Sequence, residues 1–73
     1  MSYKVNVRLK ELANERGISL RELARLSDIE PSKINKMANG KRERIYLPHI
    51  ERIAESLNIS DISEIIELIK AED

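Results

Sequence analysis

The chain has 73 residues, 13 Lys and Arg against 13 Asp and Glu, no cysteine, and two aromatic side chains, Tyr3 and Tyr46. That length fits one small domain, 1–73, with a core near the lower limit for independent folding; no small-molecule effector domain is expected. Disulfides and thiolate metal sites are excluded, no apolar run resembles a membrane span or signal segment, and two aromatics are too few for the stacking platforms of single-strand binders, so we expect a cytoplasmic protein.

The zero net charge hides a polarity along the chain. Residues 1–44 carry 11 Lys and Arg against 6 Asp and Glu, whereas 45–73 carry 2 against 7. A basic half and an acidic half would orient the molecule on a polyanion.

In chain order, Tyr3, Val5 and Val7 alternate with polar residues, a period of two that predicts a short extended arm, with Glu43–Leu47 as a candidate partner strand. A first helix is expected from about Asn6 to Arg16, with Leu9, Leu12 and Ala13 inward and Gly17 as its left-handed stop. Glu11 and Glu15, four apart, read as a solvated face rather than a catalytic pair, since nothing supplies a cleft.

Ser19 and Glu22 have capping-box spacing and start a second helix with Leu20, Leu23 and Ala24 on its apolar stripe. Ser27 and Asp28 stop it, because short polar side chains bond local backbone and Asp tolerates a left-handed corner. Pro31 suits the first position of a third helix, which Gly40 closes. On a wheel of about 100° per residue, Pro31, Met37 and Ala38 lie within roughly 60° of Ile34, while Ser32, Lys36 and Asn39 lie near the opposite pole, flanked by Lys33 and Asn35. That outer face has hydrogen-bonding groups and no acid, and can reach base edges in a major groove.

Leu20–Gly40 resembles the helix-turn-helix of the Cro and phage-repressor (Xre-type) family of bacterial DNA-binding proteins. The residues that carry the resemblance are LKELANERGIS before the motif, ELA with Ala24 at the helix crossing, Ile29 and Ile34 as core positions, NGKR after the third helix, and IERIAESLNIS beyond it. Asp28, Glu30, Leu20 and Pro31 depart from the family's usual small residue, Ser or Thr cap, and two glutamines. The resemblance implies an all-α, compact five-helix, lambda-repressor-like domain that binds double-stranded DNA as a transcriptional regulator, most simply a repressor, without enzymatic activity, cofactor or metal. Base reading is then expected from Ser32, Lys33, Asn35 and Lys36. Phosphate contact is expected from Arg21, Asn39, Lys41, Arg42 and Arg44, because long cations track phosphates without requiring base identity. A protein-interaction module of the same fold, antirepressor-like or antitoxin-like, stays open as the alternative.

A fourth helix is expected over Leu47–Leu57, with Ile50, Ile53, Ala54 and Leu57 on one stripe, Pro48 in its first turn and Asn58 as its stop. His49, the single histidine, reads as a solvent-facing first-turn residue. Ser60 and Asp61 are expected to cap a fifth helix, Asp61–Ala71, whose Ile62, Ile65, Ile66, Ile69 and Leu68 offer more apolar surface than a terminal helix needs. The excess predicts a homodimer with Ile65, Leu68 and Ile69 in the interface, which would give two reading helices for two half-sites.

Overall fold

The computed structural model describes residues 2–40 and 44–71, in the order β1 (Ser2–Val7), α1 (Leu9–Glu15), α2 (Leu20–Ser27), α3 (Pro31–Ala38), α4 (Leu47–Ser56), a 3-10 turn (Ile62–Glu64) and β2 (Ile66–Ala71). Four helices and a two-stranded antiparallel sheet replace the expected all-α, five-helix domain.

Three of the four helices, α1, α2 and α4, stop by one repeated device. Gly17, Asp28 and Asn58 all have positive φ, as expected, and each is followed by an isoleucine whose amide donates back to an alanine carbonyl. Ile18 bonds Ala13 at 3.0 Å, Ile29 bonds Ala24 at 3.0 Å, and Ile59 bonds Ala54 at 2.8 Å. This is the Schellman geometry: the left-handed residue turns the chain, and the isoleucine after it satisfies an orphan carbonyl while packing on the core. Ile29 and Ile59 are buried and Ile18 is half-buried.

Leu9, Leu12, Leu23, Ile34, Ile53 and Ile65 are the largest fully buried side chains. Ala13, Ala24, Ile29, Met37, Ile50 and Ile59 complete the core. Every helix therefore turns inward the stripe read from its spacing, although Pro31, placed on the inner side of the third helix, is exposed.

The fifth helix is the principal correction. Asp61 Oδ1 accepts from the Ser63 amide at 2.9 Å and from its hydroxyl at 2.7 Å, which supports one 3-10 turn and holds the Asp61 carboxyl below its usual range. The chain then goes extended. Ile65 is fully buried, which takes it out of the expected dimer interface, and β2 pairs with β1 from Ser2↔Ala71 to Val7↔Ile66. The extended arm is thus confirmed as a strand, but its partner is β2, not Glu43–Leu47. A short isoleucine run satisfies either period, and β-branched residues lose rotamer freedom in a helix but suit a pleated surface. An available strand, β1, decides the outcome, and it also delays α1 to Leu9.

His49 is a second correction. It is buried, with its ring 4.9 Å from that of Tyr46 in an edge arrangement, because it stands four residues before the buried Ile53 and so shares the inward face of α4.

Arg8 fastens the sheet to the helices. Its guanidinium donates to the Glu64 carbonyl at 3.0 Å and pairs with Glu15 at 3.1 Å and Glu67 at 3.2 Å. Arg16 reaches Glu64 at 3.9 Å and donates to the Leu57 carbonyl at 3.1 Å.

Candidate nucleic-acid interface

Two helices and the corner between them make up the candidate site. The first turn of α2 is set by Ser19, whose Oγ accepts from the Glu22 amide at 3.0 Å. Only half of the expected capping box forms, because the Glu22 carboxylate turns to Arg25 instead of the Ser19 amide. Hydrogen bonding to Arg25 holds the Glu22 carboxyl below its ordinary value and raises Arg25, so this cation is already matched. Late in α2 the Ser27 hydroxyl donates to the Leu23 carbonyl, a backbone bond that lets a polar residue be buried there.

The corner runs from Asp28 to Glu30. Arg52, from α4, donates to the Asp28 carbonyl at 3.2 Å and so links the corner to the next helix. Glu30 is the N-cap of α3 without a side-chain capping bond, and Pro31 takes the first turn as expected. Gly40, with φ of 68°, follows the end of α3, and its amide donates to the Met37 carbonyl.

Ile34 and Met37 anchor α3 in the core. Ser32, Asn35 and Lys36 stand on its exposed side with Asn39 beyond them, while Lys33 is half-buried. Arg21 is exposed in the first turn of α2, and a cleft lined by Arg21, Arg25, Glu30 and Pro31 joins it to the start of α3. Arg44 is exposed ahead of α4. Lys41 and Arg42 lie outside the described residues. Lys4, which the sequence reading did not single out, lines a second groove together with Asn39 and Gly40; only the folding of β1 against the end of α3 brings them together.

The fold also sorts the cations. Arg8, Arg16 and Arg25 are held by carboxylates, so part of the basic half is neutralised by acids, including Glu64 and Glu67 from the distal half. Among the described residues, Arg21, Lys33, Lys36 and Arg44 make no ion pair. The described residues hold no group of three or more His, Asp or Glu positioned for a metal ion, and none of their helices is long and apolar enough to cross a membrane.

Comparison with known proteins agrees with this geometry. Residues 8–71 match the family described as Cro/C1-type HTH DNA-binding domain. No curated protein and no solved structure matches the chain at a significant level. The matched span begins just before α1 and ends with β2, taking in all four helices and the strand that replaced the expected fifth. The chain therefore belongs to the Cro/C1-type helix-turn-helix DNA-binding domains, a family of DNA-binding regulators.

Proposed function

We propose that this domain is a sequence-specific regulator of transcription that lays α3 in the major groove of double-stranded DNA and acts as a repressor. The observation that carries the reading is the exposed side of α3. Ser32, Asn35 and Lys36 project opposite the buried Ile34 and Met37, so a rigid, core-anchored helix presents donors and acceptors with no carboxylate among them. Lysine can donate to guanine O6 and N7, and asparagine can pair with adenine N6 and N7. Arg21, Asn39 and Arg44, with Lys41 and Arg42, would hold the phosphates on either side and fix the register of the helix without reading sequence.

Repression is the simplest output of such a domain, because occupying a duplex excludes other proteins from it. Its place is the cytoplasm, with the duplex it regulates. One short helix reads too few bases for high specificity, so two copies act together on two half-sites.

Selection from a pool of random duplexes tests the reading. The expected result is enrichment of one site with two related halves. Enrichment of no sequence overturns it in favour of an antirepressor-like or antitoxin-like interaction module, a role that the exposed Glu30 at the start of α3 would suit better than phosphate contact.

A further inference from the structure

We propose that Arg52, which lies on α4 outside the two helices of the motif, is a positioning residue: it holds the corner after α2 and thereby aims the first turn of α3, a role that rests on the DNA-reading proposal. The start of α3 needs support from elsewhere. Glu30, its N-cap, makes no side-chain bond to the helix, so the first turn lacks the polar clasp that Ser19 gives α2. Ile34 and Met37 anchor the rest of α3 in the core, but Ser32 and Lys33 precede both. In a helix-turn-helix the N-terminal residues of the second helix meet the base edges. The turn with least support of its own is therefore the one that has to be aimed best.

The corner supplies that support from two sides. The amide of the buried Ile29 donates to the Ala24 carbonyl at 3.0 Å and ties the corner to α2. From the other side Arg52 Nη1 donates to the Asp28 carbonyl at 3.2 Å. Asp28 is left-handed, with φ of 54°, and among the described residues Arg52 is the only donor to its carbonyl. The guanidinium is carried by a helix whose Ile50 and Ile53 are buried, so the corner is tied to the core. Leu26, Ser27 and Asp28 line a groove together with Arg52, Glu55 and Ser56, which the arginine spans.

The same chemistry recurs at two other chain ends. Arg16 donates to the carbonyl of Leu57, the C-cap of α4, at 3.1 Å, and Arg8 to that of Glu64, the last residue of the 3-10 turn, at 3.0 Å. A cation there satisfies an orphan acceptor and faces the negative end of the helix dipole. Arg8 and Arg16 share their charge with carboxylates, whereas Arg52 has no ion pair among the described residues, so its charge is given undivided to the corner.

Small displacements decide the effect. A tilt of about 10° about Met37, roughly 9 Å from Pro31 at 1.5 Å per residue, carries the first turn through about 1.5 Å, beyond the ~0.5 Å within which a binding constellation has to be held. Base edges require that precision; long cations on phosphates adjust to its loss. Loosening the corner therefore removes sequence preference and spares the sequence-independent part of binding.

Two variants of the full chain test this, at a temperature where circular dichroism shows both folded. Arg52→Met keeps the stem and removes the donors, and Arg52→Lys restores a cation that can donate to the same carbonyl. Each is titrated with the duplex enriched from the random pool and with a scrambled duplex, over a range of salt. Arg52→Met should bind the enriched duplex about tenfold more weakly, the scale of one charge-assisted hydrogen bond, with native affinity for the scrambled duplex and native salt slopes on both. Arg52→Lys should recover part of the loss. In nitrogen–proton correlation spectra of the free protein, Arg52→Met should shift the amides of Asp28, Ile29, Ser32 and Lys33. Native affinity of Arg52→Met for the enriched duplex, equal losses on both duplexes, or amide shifts confined to α4 would overturn the proposal. So would a slope shallower by about 0.9, which would make Arg52 a phosphate contact. A native chain that prefers no duplex overturns the DNA reading instead, and the amide shifts then decide by themselves whether Arg52 holds the corner.

Discussion

Asn35 and Lys36 show how little a side chain's type says until its direction is known. Both are exposed, on the same short helix, one and two residues beyond the buried Ile34. If they read bases, replacing either with alanine costs about 1 to 3 kcal/mol on the best site and relaxes preference at a single base pair, because each can make paired hydrogen bonds to one base edge. Repeating the duplex selection with each variant checks this. An unchanged preferred site in both would remove α3 from base reading. Lys33, by contrast, is half-buried, which leaves less of its chain free to reach a base. Ser19 and Glu22 illustrate the same lesson: their spacing predicts a reciprocal cap, yet Arg25, one turn on, takes the glutamate.

At the scale of elements, the three left-handed corners that an isoleucine closes and the C-terminal strand contrast. Gly17, Asp28 and Asn58 act locally, each through backbone bonds within five residues, and so their positions follow from the residue types. β2 depends on a partner about 60 residues earlier, as in the Asn6–Glu67 hydrogen bond. The strand assignment makes a sharp prediction. Ile65→Ala opens a cavity in the core and should cost about 2 to 5 kcal/mol. Leu68→Ala, measured at concentrations where the chain is monomeric, should stay within about 0.5 kcal/mol of native, because surface substitutions rarely cost more. A helix with both residues inward would lose comparable stability at each; urea unfolding followed by circular dichroism distinguishes the two patterns.

For the whole molecule, electrostatics depends on which cations the fold leaves unpaired. Arg8, Arg16 and Arg25 are spent on carboxylates, so the polarity of the sequence overstates the charge offered to DNA. If Arg21, Lys41, Arg42 and Arg44 each neutralise one phosphate, log affinity should fall against log salt with a slope of about −3.6 per protomer, at roughly 0.9 per contact. Arg44→Ala should make the slope shallower by about 0.9 and weaken all duplexes alike, whereas Arg8→Ala should leave it unchanged. Titrations of binding against salt, with one duplex of the selected sequence and one scrambled, measure both effects. An Arg44→Ala variant with native slope would take this residue off the backbone.

The sequence by itself determined the four helices, their inward stripes, their left-handed stops and the helix-turn-helix family. Each of these rests on contacts a few residues apart or on a stripe that must face any core at all. Leu9, Leu12, Leu23, Ile34 and Ile53 had to be buried whatever lay opposite them. Only the tertiary structure decided what the isoleucine-rich end became, since Ile65, Ile66 and Ile69 fit a helical stripe or a strand equally well and the free edge of β1 settled the choice. It alone decided that His49 turns inward and that Arg8 and Arg16 meet acids from the other half of the chain. Burial and ion pairing of this kind are relations between residues distant in sequence, and no local period encodes them.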